Sequence, residues 1–252
     1  MSAQVLITGA TGGFGRLFAD RLAKRGHALL LHGRDPDRLE DLRASLPSPE
    51  RHRSVTANLD HESGVDALIE DIGETPLEGL VNNAGFGLWG RFASVPVEWQ
   101  CSMLYTDLVA PMRLTHMLLP RLIANRGFLI NVSSLAGEYP LPWMSGYAAA
   151  KAGLSFWSEA LGCELAGQLR VVTLAPGPSP TGFRDVSGMP AKTGGFFRTP
   201  PELVIDQALH CLDRGGGYCV PGWRHRLLWL MQKTIPRAWG LRILARQMNR
   251  SD

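Results

Sequence analysis

Short, continuous apolar runs alternate along this chain with longer stretches whose apolar residues recur every three or four positions. The runs at 5–7, 28–31, 54–57, 79–81, 128–132, 171–174 and 218–220 predict strands, and the stretches at 13–24, 36–46, 62–72, 96–124, 147–166 and 201–212 predict helices. Strands that are apolar throughout are covered on both faces, and the helices between them supply the cover. The pattern therefore predicts an α/β fold: a doubly wound, Rossmann-like parallel sheet of about seven strands with helices on both faces and ligands at the strand C-termini. No internal repeat or low-complexity linker interrupts it. Only 181–199, rich in Gly, Pro and Phe, fits neither period, and a loop of that length predicts a mobile lid over a site.

The first junction carries candidate chemistry. The strand run passes into Thr8-Gly9-Ala-Thr11-Gly12-Gly13-Phe14-Gly15 and then into a helix. A helix start presents unpaired N–H groups and the positive end of the dipole, and glycine lets a phosphate approach them without meeting a Cβ. This is either the pyrophosphate site of a dinucleotide or an ordinary strand-to-helix turn.

Composition narrows the classes. With 252 residues and 45% hydrophobic content, the chain can bury one large core. No apolar run approaches the roughly 18 residues of a membrane span, and the first strand starts too early to leave room for a signal peptide. Cys101, Cys163, Cys211 and Cys219 form neither C-x-x-C nor a His-paired spacing, which predicts reduced thiols in a cytoplasmic protein and no metal site. The net charge of +3 is uneven: residues 223–252 hold seven Lys/Arg and one acid, so that segment carries +6 and residues 1–222 carry −3. The domain plan is a single catalytic and cofactor-binding unit over 1–222 with a basic amphipathic helical extension over 223–252. A basic tail without groove-reading elements does not point to nucleic acid.

The strand ends hold the remaining candidates. Strand 4 ends in Asn82-Asn83-Ala84-Gly85 and strand 5 in Ser133-Ser134, while the following helix opens with Tyr147-Ala-Ala-Ala-Lys151. Residues four apart share a helix face. A hydride moving to a carbonyl carbon leaves charge on oxygen, which needs a proton and aimed donors. Tyr147 can supply the proton and Ser134 a second hydrogen bond. An ordinary phenol has a pKa near 10 and is a poor acid–base at neutral pH; a Lys151 cation one turn away should lower it.

In family order over residues 8–181, the glycine turn, Asn82-Asn83-Ala84-Gly85, Ser134 thirteen before Tyr147, Lys151, and Pro176-Gly177 with Thr181 resemble the short-chain dehydrogenase/reductase family, in its shorter subclass. The resemblance implies catalytic roles for Ser134, Tyr147 and Lys151, with Lys151 also bonding the nicotinamide ribose. It implies cofactor contacts for Thr8, Gly9, Thr11, Gly13, Phe14, Gly15, Asn58, Leu59, Asn83, Ala84, Gly85, Tyr147, Lys151, Pro176, Gly177, Ser179 and Thr181, and a homodimer or homotetramer. Two positions depart from it: Asn58 stands where the family has an Asp near the adenine, and Asp107 where it has a catalytic Asn that works largely through its carbonyl. If the Asp107 side chain faces the site, it should partly cancel the Lys151 field at Tyr147; otherwise only its backbone is engaged.

At the end of strand 2, an acid binds the ribose 2′-OH of NAD and an Arg the 2′-phosphate of NADP. The chain reads Leu31-His32-Gly33-Arg34-Asp35, so Gly33 stands where the acid would be and Arg34 follows. This predicts NADP(H) rather than NAD(H), unless Asp35 is drawn in from its alternative role of capping the next helix.

Phe86, Leu88, Trp89, Tyr139, Leu141, Trp143, Met144, Met189, Phe196 and Phe197 follow the strand ends or lie in the suspected lid, which points to a hydrophobic ketone or secondary alcohol as substrate. The tail reads as two helices broken at Pro236, with Arg242, Arg246 and Arg250 on one face of the second. Docking on the core or a subunit contact is the preferred reading, ahead of a peripheral contact with anionic membrane. The competing functional class is a non-catalytic NADP-binding sensor or scaffold, which would not need Ser134, Tyr147 and Lys151 together.

Overall fold

The structure, a computed structural model, describes residues 3–190, 198–232, 234 and 237–249. Seven strands, β1 (Gln4–Ile7), β2 (Ala28–Gly33), β3 (Arg53–Thr56), β4 (Leu77–Asn82), β5 (Phe128–Val132), β6 (Arg170–Leu174) and β7 (Gly217–Cys219), form one parallel sheet in the order β3-β2-β1-β4-β5-β6-β7. Side-chain alternation sends Val5 and Ile7 to one face and Leu6 to the other, and the same split repeats in β2 with Leu29 and Leu31 against Leu30. Each face is sealed by helices. Phe18 and Leu22 of α1 (Gly13–Lys24), Leu39 and Leu42 of α2 (Pro36–Ser45) and Val204, Ile205, Leu209 and Leu212 of α8 (Pro201–Asp213) close one side. Val65 and Leu68 of α3 (Glu62–Ile72), Leu114 and Leu118 of α5 (Ala110–Ala124) and Leu165 after α6 (Ser145–Glu164) close the other. All of these side chains are buried, each contributing roughly 1.5–3 kcal/mol of transfer free energy.

The long helix expected over 96–124 is interrupted. α4 (Val97–Leu104) passes into a π turn, Tyr105–Val109, before α5 resumes. The Ala110 N–H donates to the Tyr105 carbonyl, one residue further back than in an α-helix, and Pro111 has no N–H to offer the Asp107 carbonyl. The expected lid at 181–199 contains a short helix, α7 (Phe183–Ser187); residues 191–197, including Phe196 and Phe197, lie outside the described residues. The tail forms α9 (Trp223–Gln232) and α10 (Arg237–Asn249), with Pro236 and Arg250 outside the described residues. Among the described residues, no helix is long and apolar enough to cross a membrane, and no His/Cys/Asp/Glu cluster could hold a metal ion. All four cysteines are free.

Candidate functional site

Strand order reverses between β1 and β4, which opens a crevice past their C-terminal ends. Thr8 ties its walls together. Its Oγ1 accepts from the N–H groups of Asn83 (2.9 Å) and Ala84 (3.0 Å) and donates to the Val81 carbonyl (3.2 Å). Asn83 Nδ2 returns the link, donating to the carbonyls of Thr8 (2.9 Å) and Gly9 (3.0 Å). Gly9 has φ 63°, and a Cβ on it would lie 2.9 Å from the Ala84 Cα; a Cβ on Gly15 would strike the Gly9 carbonyl. These two glycines are demanded by the turn's own packing. Gly13 differs, since a Cβ there would sit 2.6 Å from the Thr181 Cβ across the crevice.

A cleft of about 1450 Å³ follows this crevice along the strand ends. That exceeds the roughly 300–1,000 Å³ of an ordinary small-molecule site and leaves room for a dinucleotide beside a second small molecule. Gly9, Thr11, Gly13 and Phe14 line it at α1, whose N-cap Gly12 brings no capping side chain, so the first N–H groups of that helix face the cleft. Arg34, Asn58 and Leu59 line it past β2 and β3, Asn83, Ala84 and Gly85 past β4, and Pro176, Gly177, Ser179 and Thr181 past β6. Thr8 and Gly15, expected to touch a dinucleotide, instead lie beneath the turn: Thr8 spends its hydroxyl on β4, and Gly15 packs against Gly9. A shallower hollow beside Phe92–Ser94 shares no residue with the cleft and contains no cluster of polar groups.

The opposite wall brings Ser134, Tyr147, Lys151 and Asp107 together. Tyr147 and Lys151 project from one face of α6, and Ser134 follows β5, its Oγ accepting the Ala136 N–H at 3.0 Å and pairing with the Tyr147 phenol. The neighbouring Ser133 is committed to structure, bonding the Lys151 carbonyl and the Ser155 hydroxyl. Lys151 Nζ donates to the Val132 carbonyl at 3.0 Å, sits 3.1 Å from Asp107 Oδ2 and lies 5.8 Å from the centroid of the Tyr147 ring. The Lys151–Asp107 contact is an ion pair without hydrogen-bond alignment. Asp107 Oδ1 accepts the Phe86 N–H at 2.9 Å, so the fully buried carboxylate faces the site. Burial pushes its carboxyl above the ordinary carboxylate range, against the opposing pull of Lys151 and the Phe86 N–H.

The phenol behaves differently from the sequence expectation. Burial raises Tyr147 above its ordinary pKa and the Asp107 charge raises it further, while the Ser134 hydrogen bond pulls it down. The Lys151 ammonium is paired with Asp107, and no lowering by Lys151 offsets burial and the Asp107 charge at the phenol.

A family model described as short chain dehydrogenase matches residues 3–188. The chain belongs to the short-chain dehydrogenase family. Sulfoacetaldehyde reductase 2 of Chromohalobacter salexigens is 36% identical over 213 residues, 82% of each chain. Serine 3-dehydrogenase of Rhizobium radiobacter is 37% identical over 200 residues, 77% of each. Among solved structures, a short-chain dehydrogenase from Sphingobium yanoikuyae in complex with NADPH superposes with a TM-score of 0.81 at 28% identity, covering 100% of this chain and 96% of its own. As a short-chain dehydrogenase/reductase, this protein is a nicotinamide-dependent oxidoreductase acting on CH–OH and C=O groups of small molecules.

In this short-chain dehydrogenase, several residues that sequence reasoning passed over sit at the cleft. His32 is buried at the end of β2; its Nδ1 accepts the Gly9 N–H at 3.4 Å, so its Nε2–H donates to the Ala57 carbonyl at 3.2 Å. Burial pushes its pKa down to about 4, keeping the ring neutral as a cross-strand link. Arg38 lines the cleft with Arg34 and donates to the Thr11 carbonyl at 3.3 Å, while Asp35 caps α2 through the Asp37 and Arg38 N–H groups, both at 3.1 Å. An arginine one helical turn after Arg34 was the available signal. Phe86, Tyr139, Leu141, Met144 and Met189 are on the wall as expected, joined by Phe183, Leu244 and Met248. Trp143 is not on it: its Nε1 is buried without a partner, its backbone takes φ 63°, and its carbonyl accepts the Gly90 N–H at 2.9 Å. Leu88 and Trp89 pack behind the wall on the Met103–Met144–Tyr147 cluster.

Proposed function

We propose that this protein is an NADP(H)-dependent carbonyl reductase, reversible to alcohol oxidation, acting on a hydrophobic ketone or secondary alcohol. The observation that carries the reading is the meeting of Ser134, Tyr147 and Lys151 in the same cleft as the glycine turn. Bound nicotinamide supplies or accepts the hydride. Tyr147 delivers or removes the proton at the substrate oxygen, and Ser134 donates a second hydrogen bond there. Lys151 holds the ribose while anchored by Val132 and Asp107. The uncapped start of α1 receives the pyrophosphate. Arg34 and Arg38 take the 2′-phosphate, and Asp35 does not compete because its carboxylate is committed to the α2 cap. Phe86, Tyr139, Leu141, Met144, Phe183 and Met189 give the substrate an apolar wall.

The relatives named above act on small polar substrates, and Arg184 and Arg198 also border this cleft, so a small anionic aldehyde is the second reading. NADPH and NADH oxidation on a panel of bulky ketones and small anionic aldehydes tests the proposal. The expected result is turnover of bulky ketones with NADPH preferred, loss of about 100-fold or more in kcat in Tyr147→Phe, and a KM for NADPH raised about tenfold in Arg38→Ala with NADH unaffected. Equal use of NADH would overturn the cofactor assignment; preference for the anionic aldehydes would overturn the substrate assignment.

A further inference from the structure

Helix α9 is docked by one face and exposed by the other. On the docked face, His225 is buried with Nδ1 2.9 Å from Thr199 Oγ1. Trp229 stacks on Tyr218 with ring centroids 5.5 Å apart and donates from Nε1 to Glu138 at 2.8 Å. At 100° per residue these two positions centre opposite Trp223, Leu227, Leu230 and Met231. In a water-soluble surface helix that outward face should be polar. Here Trp223 is 71% exposed, Leu227 and Leu230 50% each, and Met231 48%.

Arginines flank this stripe on both sides. Arg224 lies on one edge, its guanidinium 5.2 Å from the Trp223 ring centroid, and Arg226 lies exposed on the other. Helix α10 repeats the division of faces: Leu244 and Met248 border the cleft, while Trp239 is 67% exposed and Arg242 is exposed. Neither helix contains an acid, and residues 223–252 hold seven Lys/Arg against one Asp.

We propose that α9 seats its Trp223–Leu227–Leu230–Met231 stripe in the interface of an anionic lipid bilayer, with Arg224 and Arg226 at the headgroups. An apolar face edged by arginine and tryptophan matches the boundary between acyl chains and anionic headgroups. A second copy of the chain fits less well, because a two-fold contact lays the patch on itself and sets arginine against arginine. Docking on the core and lipid contact use opposite faces of α9, so the two readings of the tail are compatible.

The test is co-sedimentation of the full chain with vesicles of phosphatidylglycerol and of phosphatidylcholine, at low and high salt, alongside the solution mass by light scattering. The unmodified chain is expected to partition about tenfold or more better to phosphatidylglycerol, and to lose most of that preference at high salt. The Leu227→Glu/Leu230→Glu double variant changes only exposed side chains; its partitioning should vanish with circular dichroism and thermal midpoint unchanged. Equal or absent partitioning of the unmodified chain to the two lipids would overturn the proposal even if the double variant fails to fold. A fall in solution mass in the double variant, with vesicle binding untouched, would overturn it too and assign the stripe to a subunit contact.

Discussion

An ammonium one helical turn from a phenol favours the phenolate only while its charge is uncompensated. In this chain Asp107 sits 3.1 Å from Lys151, and Tyr147 is left with burial, the Asp107 charge and the Ser134 hydrogen bond. The Phe183 ring packs beside it, ring centroids 5.2 Å apart. At the alkaline pH where a phenol titrates, Asp107 carries its charge and opposes ionisation of Tyr147. Asp107→Asn removes that opposition, so the Tyr147 pKa falls and the rise of kcat/KM for alcohol oxidation should move to lower pH by on the order of one unit. The pH profile of the variant measures this directly, and an unmoved profile in a folded, active variant would remove Asp107 from the titration. Breaking a buried ion pair costs about 3–5 kcal/mol when nothing replaces the lost partner. An amide still accepts from Phe86, so the variant should fold with a lowered thermal midpoint.

At the level of elements, two glycines of similar appearance in sequence have opposite structural meanings. Gly15 in α1 lies against the Gly9 carbonyl and 2.8 Å, measured from an added Cβ, from the Ala10 Cα. Gly15→Ala must open the turn, and overpacking of this kind costs about 1–3 kcal/mol or more. Gly162 in α6 has only Val171 near it, 3.5 Å from an added Cβ, which is ordinary contact. Gly162→Ala should therefore stabilise by about 0.5–1 kcal/mol through the unfolded chain's lost freedom. Urea unfolding of both variants reads the two signs; a destabilised Gly162→Ala would mean α6 needs that gap. The π turn belongs to this scale as well. It turns Asp107 inward from a helix whose hydrophobic period gives no sign of the break, and Pro111 is the one residue that marks it.

Across the whole molecule, the cleft is closed by parts of the chain that are far apart in sequence. The β1 and β4 ends form its base, α7 a side, and Leu244 and Met248 of α10 a further wall. If these two residues contact substrate, truncating each to Ala should raise KM about tenfold for bulky ketones, by loss of buried apolar area, and leave small ketones unchanged. Steady-state kinetics on a size series decides it, since a uniform rise would mean the helix has only been loosened.

The apolar runs and helical periods were enough to read the strand order's ingredients, because continuous apolar strands have no stable arrangement other than a sheet covered on both faces. The glycine turn, the NNAG strand end and the Tyr147/Lys151 spacing were legible for a similar reason: each is a local geometry that few residue types satisfy. What the sequence could not show depended on which neighbour each group meets. The upward shift of Tyr147 comes first from its burial and is then increased by Asp107, forty residues earlier and buried within the π turn. The displacement of Trp143 from the wall, the arrival of Leu244 and Met248 on it, and the outward apolar face of α9 were decided in the same way. Periodicity reports that a helix has an apolar face, but only packing determines whether that face meets protein or is left to meet something else.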